Sequence, residues 1–196
     1  SLVGKVGGDF IFGFDGDDTL VGDGEINPIN AVDATVGDPK IMDDILSGGN
    51  GADRLTGDFI FNDGTISKTG NDYLDGDQGG VGSDDIIVGD VAENHGTIIT
   101  AGNDRIFGGG GNDILVGDVK DNYGTVINRG IDTFVYDLAM DNGEDAILDF
   151  EAGNASTPSH DIILLQNFLN GSVDVVNNGV FYSLVLKDGS SVQVGQ

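Results

Sequence analysis

The sequence predicts an all-β protein, a parallel β-solenoid with inserted hairpin fingers and a C-terminal β cap, and three observations carry that reading. A nine-residue unit of the form G-x-x-G-x-D-x-U-x, with U a large apolar residue, recurs as GKVGGDFIF at 4–12, GFDGDDTLV at 13–21, GGNGADRLT at 48–56 and GGGGNDILV at 108–116. The U positions are Leu2, which opens the series, and then Ile11, Leu20, Leu46, Leu55, Leu74, Ile87, Ile106, Leu115 and Phe134, each of these two residues after an aspartate. The spacing is that of a coil: 28 residues separate Asp44 from Asp72 and Asp104 from Asp132. Self-similarity at a fixed period marks stacked units that bury an apolar face only against their neighbours.

Each element follows from the repeat. A short unit is a glycine-rich turn and a three-residue strand. A long unit carries an eleven-residue insertion, between Gly57-Asp58 and Gly70-Asn71-Asp72, between Gly89-Asp90 and Gly102-Asn103-Asp104, and between Gly117-Asp118 and Gly130-Ile131-Asp132. The insertions FIFNDGTISKT, VAENHGTIITA and VKDNYGTVINR share Asn-x-Gly-Thr at their centres, and Asn-x-Gly among β-branched residues predicts a hairpin finger. One short and one long unit make a coil. The Asp72 to Asp104 step is 32 because the turn near DQGGVGSDD is longer, and the Asp9 to Asp44 step is 35 because its finger is longer, with Met42 in the place of a turn glycine.

The turns create an electrostatic problem. The net charge is −26, and all but four of the 34 acidic residues are aspartates, the exceptions being Glu25, Glu93, Glu144 and Glu151. Stacked strands lie about 4.8 Å apart, and two carboxylates at about 5 Å repel by about 3 kcal/mol at an effective dielectric of 20. Each buried U residue contributes only about 1.5–3 kcal/mol, against about 1–2 kcal/mol for ordering each backbone residue. Such a thin core needs a counter-ion in its turns. Oxygen-only ligands suit calcium, whereas zinc would call for His or Cys, and the chain has no cysteine.

In these units the chain resembles the RTX family, whose members carry hemolysin-type calcium-binding repeats. The resemblance covers residues 1 to about 135 and implies a calcium-binding β-roll at 1–135 followed by a capping region at 136–196. It implies several calcium ions between stacked turns, held by the sixth-position aspartates and by carbonyls of the earlier turn positions. On the short-turn side the aspartates are Asp18, Asp53 and Asp113, with carbonyls from Gly13, Asp15, Gly48, Gly49, Asn50, Gly51, Gly108, Gly109, Gly110 and Gly111. In the third short turn GGVGSD puts Asp84 in the ligand position and the strand register favours Asp85, with Gly79 and Val81 as carbonyl donors. On the finger side Asp9, Asp44, Asp72, Asp104 and Asp132 match the sixth position. Asp23, Asp58, Asp90 and Asp118 replace the second glycine and are candidates to restore a ligand that the finger displaces.

Beyond Asp132 the D-x-I-x-D-F segment Asp145–Phe150 and the D-x-I-x-L segment Asp161–Leu165 resemble the region that covers the last coil in secreted RTX proteins. The runs VFYSLVL and SVQV, separated by Lys187-Asp188-Gly189, predict a β-hairpin. The expected function is that of a module of a secreted or cell-surface bacterial protein that folds on binding calcium after type I export. The alternative is a calcium-dependent adhesive or carbohydrate-binding module, with Phe61, His95 and Tyr123 of the fingers as contacts. So dense a negative charge excludes nucleic acid and anionic lipid as partners. No apolar stretch predicts a membrane span, and the expected state is monomeric. An enzyme is not expected: His95 and His160 are the only histidines, and neither H-E-x-x-H nor G-x-S-x-G occurs. An ice-binding array of Thr65, Thr97 and Thr125 would be sparse.

Overall fold

A computed structural model describes residues 1–27, 43–77, 82–137, 139, 143–152, 160–167, 174–177, 181–185 and 191–195, all strand, turn or irregular backbone with no helix among them. Two parallel ladders form the body of the solenoid. One stacks Leu2–Val3, Thr19–Val21, Arg54–Thr56, Ile86–Val88, Ile114–Val116 and Glu144–Ile147. The other stacks Phe10–Asp15, Ile45–Asn50, Tyr73–Asp75, Arg105–Phe107, Thr133–Asp137 and Ile162–Gln166.

The register sets U upon U. Leu20, Leu55, Ile87, Leu115 and Ile147 are successive partners on the first ladder, and Ile11, Leu46, Leu74, Ile106, Phe134 and Ile163 on the second. A one-residue slip would turn every one of them to solvent. All the U residues but one join a single core, which Tyr136 and Ile147 complete, with Phe150, Ile163 and Leu165 packed against it. Leu2, on the end strand, is exposed.

The fingers differ from the predicted hairpins. The three eleven-residue fingers each run strand, turn, strand, and both arms pair with the neighbouring coils. Gly24–Asn27, Phe59–Asn62, Val91–Asn94 and Val119–Asn122 make one parallel ladder; Thr65–Ile66, Thr97–Thr100 and Thr125–Asn128 make another. The physical reason is a second core, Phe59, Ile66, Val91, Ile98, Ala101 and Val119, which fills the space between the arms. At the tips Asn62, Asn94 and Asn122 each accept the N–H of the glycine two residues on, at 3.0–3.2 Å. Asn62 Nδ2 donates to Asn94 Oδ1 at 2.7 Å, and Asn94 Nδ2 to Asn122 Oδ1 at 2.9 Å. This polar ladder locks coil to coil, and it has no counterpart in a free-standing hairpin.

The turn glycines Gly49 and Gly51 adopt φ of 107° and 122°, where a Cβ is strained. Phe14 stands in register with Gly49 and takes φ 75° with its ring three-quarters exposed, a conformation that costs a non-glycine residue about 1–3 kcal/mol. At the far end, Glu144–Ile147 pairs in parallel with Ser191–Gly195. Phe181–Val185 then pairs antiparallel with Ser191–Gly195, which is the expected C-terminal hairpin, and with Asp174–Asn177 on its other side. Lys187-Asp188-Gly189, Met42, Gly79 and Val81 lie outside the described residues.

Candidate metal centres

The turns bring the predicted aspartates into two columns. On the short-turn side the main-chain N–H of Asp18 donates to Asp53 Oδ1, Asp53 to Asp85, Asp85 to Asp113 and Asp113 to Asp145, at 2.7–2.9 Å. On the finger side the same bond links Asp9 to Asp44, Asp44 to Asp72, Asp72 to Asp104, Asp104 to Asp132 and Asp132 to Asp161, at 2.5–3.0 Å. One oxygen of each interior aspartate is thus occupied by the preceding coil. The other is not: Oδ2 of Asp44, Asp53, Asp72, Asp85, Asp104 and Asp113 is buried with no hydrogen-bond partner.

An orphaned buried carboxylate oxygen is costly unless something positive meets it. Main-chain oxygens converge on the same places. A Cβ at Gly57 would collide with both the Gly89 carbonyl oxygen and Asp72 Oδ2; at Gly89 it would meet the Gly117 carbonyl and Asp104 Oδ2, and at Gly22 the Gly57 carbonyl and Asp44 Oδ2. The short side repeats this: Gly48 faces the Gly76 carbonyl and Asp53 Oδ2, and Gly76 faces the Gly108 carbonyl and Asp85 Oδ2. Glycine is needed there for closeness, since any side chain would occupy the oxygen-lined gap. No group of three or more His, Cys, Asp or Glu side chains among the described residues is placed to hold a metal by itself. An ion must therefore complete its shell with carbonyls, which is what a hard, oxygen-seeking cation accepts. The donor set fits calcium.

Burial first, and neighbouring carboxylates after it, push Asp44, Asp85 and Asp113 up to about 8 and Asp145 to about 7. Burial likewise raises Asp53, Asp72, Asp104 and Asp132, the last three well above the usual range.

The remaining candidates fall elsewhere. Asp85 takes the ladder position in the third short turn, and Asp84 is exposed, its Oδ1 accepting the Asn112 N–H and Nδ2. Asp15 is exposed and accepts from Asn50 Nδ2 at 2.8 Å. Asp58, Asp90 and Asp118 sit buried at the finger bases, where they accept the N–H of Gly70, Gly102 and Gly130 and so close each insertion. Asp23 accepts the Gly7 N–H at 3.1 Å. Gly13 would bring a Cβ to 2.9 Å from Asp18 Oδ2; Gly110 is buried and Gly108 faces Asp113 Oδ2.

Sequence reasoning missed the columns' continuation to Asp145 and Asp161, which occupy the same bonds without a glycine-rich turn before them. The signal was present: Asp145-Ala146-Ile147 and Asp161-Ile162-Ile163 repeat the D-x-U step. It also missed Asp149, which accepts the N–H groups of Gly117 and Asp118 at 2.8 and 3.0 Å, and Gly76 and Asp77.

Stacked glycine turns, paired columns of buried aspartate and an aliphatic ladder inside define a parallel β-roll built to bind cations in its turns. The sequence profile of the RTX calcium-binding nonapeptide repeat matches the chain in four copies, over residues 1–27, 42–59 and 100–120. Over these residues the chain carries RTX calcium-binding repeats, a repeat type that binds calcium. Comparison with curated proteins gave no match. Among solved structures the chain is similar to the extracellular lipase LipA from Serratia marcescens, at 16% identity and a TM-score of 0.32, over 95% of this chain and 37% of that one. The chain thus spans little more than a third of that lipase.

Proposed function

We propose that this module belongs to a secreted bacterial protein and folds on binding calcium after export, serving as a structural element and not as a catalyst. The observation that carries the reading is the two columns of buried Oδ2 atoms with no partner, those of Asp44, Asp53, Asp72, Asp85 and Asp104 lying beside a main-chain carbonyl of the next coil. Bound in these gaps, calcium supplies the positive charge that the columns lack. Asp44, Asp72, Asp104 and Asp132 on one side and Asp53, Asp85 and Asp113 on the other would hold it, with the carbonyls of Gly57, Gly89, Gly117, Gly76 and Gly108. Low calcium leaves the carboxylates opposed and the chain extended, a state suited to passage through a channel; millimolar calcium matches weak extracellular sites. No helix among the described residues is long and apolar enough to cross a membrane. The test is far-ultraviolet circular dichroism of chelator-stripped chain during calcium addition. A cooperative gain of β signal is expected, with magnesium a poor substitute because it resists dehydration; a spectrum unchanged by calcium refutes the proposal.

A second reading, recognition of a cell-surface or polysaccharide ligand, is favoured by one feature of the finger tips. Phe61, His95 and Tyr123 stack across three coils with ring centroids 5.3 and 4.9 Å apart, His95 also pairing with Glu93 at 2.7 Å. Glycan binding lost in Tyr123→Ala, with calcium binding intact, would support this reading, and equal binding by both proteins would remove it.

A further inference from the structure

The third short turn departs from its neighbours at its second residue. Where the turns before and after it carry Gly49 and Gly109, this one carries Asp77. The side chain is 3% exposed. Its Oδ2 accepts the Ser83 N–H at 3.1 Å, closing the longer loop as Asp58 and Asp90 close the fingers, and the Gly110 N–H also bears on the carboxyl. Its Oδ1 is buried with no hydrogen-bond partner. Against it stands Gly109, whose Cβ, were there one, would lie 2.5 Å from the Asp77 Cβ and 3.2 Å from its Oδ2. Asp77 follows Gly76 and Gly109 follows Gly108 in the chain, and the gap kept open by Gly76 is bordered by Asp85 Oδ2 and the Gly108 carbonyl.

A loop clamp needs one oxygen. A purely structural residue here would be served as well by asparagine, without adding charge next to Asp85. Asp77 adds that charge: after burial, it is among the carboxylates that raise Asp53, Asp85 and Asp113. No ion pair among the described residues involves any of these four groups.

We infer that Asp77 is a further calcium ligand, its Oδ1 joining Asp85 Oδ2 and the Gly108 carbonyl at the third short turn, so that this gap holds its ion more tightly than the others of its column. Two carboxylates then serve a gap that elsewhere has one orphaned Oδ2, and carboxylate count is a principal determinant of calcium affinity. The inference rests on the calcium-binding reading above and adds to it a site of distinct strength.

The test is calorimetric calcium titration of the full 196-residue chain, wild type against Asp77→Asn and Asp77→Glu. Asparagine keeps an acceptor for the Ser83 N–H and removes the charge. The expected result is that one site of the tightest class weakens about tenfold while the others and the calcium-saturated β spectrum are unchanged, and that glutamate restores the wild-type titration. An Asp77→Asn isotherm identical to wild type overturns the inference, as does a glutamate variant as defective as the asparagine one, since the position then serves the loop alone. Wild-type chain that takes up no calcium would instead sink the calcium-binding reading itself, so the two failures are distinguishable.

Discussion

Asp104→Asn acts in opposite directions on the calcium-free and calcium-loaded chain, and the structure fixes both signs. Asp104 is buried; its Oδ1 accepts the Asp72 N–H at 2.7 Å and its Oδ2 is orphaned beside the gap at Gly89. Asparagine keeps the Oδ1 acceptor and replaces Oδ2 by an amide that repels a cation. Without calcium, at a pH where the column is ionised, Asp104 faces Asp72 and Asp132 one rung away on either side. At the spacing of about 4.8 Å between strands, each pair opposes folding by about 3 kcal/mol at an effective dielectric of 20. Removing the charge relieves the metal-free coil by up to that amount per neighbour. With calcium, the same change deletes a ligand and should raise the calcium midpoint about tenfold. Circular dichroism read during calcium addition, and the residual β signal in chelator, measure both. An unchanged or lower midpoint, or a metal-free variant less stable than wild type, would refute the reasoning.

Protons should imitate calcium in part. Burial lifts Asp44, Asp85 and Asp113 to about 8 in the fold, above the ordinary value near 4. The stabilisation of the metal-free fold by their protonation is therefore complete below about pH 4 and lost as pH rises through about 8. Stripped chain should show more β signal at pH 5 than at pH 8.5, and calcium should bind with proton release; the reverse order by circular dichroism would be inconsistent with buried columns. Leu55→Ala opens a cavity under Leu20 and Ile87 and should cost about 2–5 kcal/mol in calcium-saturated urea unfolding, with the number of ions unchanged. Asn94→Ala removes the acceptor of Asn62 Nδ2, the donor to Asn122 Oδ1 and one of the two acceptors of the Gly96 N–H. It should cost about 1–3 kcal/mol and loosen amide exchange in the fingers before the body.

The body of the fold was legible because its information is local and repeated: a D-x-U step locates a strand, and its recurrence at Leu55, Ile87 and Leu115 locates the register even where the turn between them lengthens. The finger geometry was not. Asn-Tyr-Gly at 122–124 reads the same whether its arms pair with each other or with the next coil, and the choice is made by Phe59, Val91 and Val119 meeting Ile66 and Ile98 across the arms. The paired columns followed from repeat position alone, as at Asp53 and Asp113. Asp145 and Asp161 were harder because no G-G-x-G-x-D turn precedes them in the sequence. The role of Asp77 depends on which of its oxygens the loop occupies, which no spacing reveals.

The most direct test is a crystal structure of the calcium-loaded chain with anomalous data collected at long wavelength, where calcium is distinguishable from water. Anomalous peaks are expected beside Asp72 and Asp104 Oδ2 in one column and beside Asp53 and Asp85 Oδ2 in the other. A fully folded coil with no peak at either place would contradict the account.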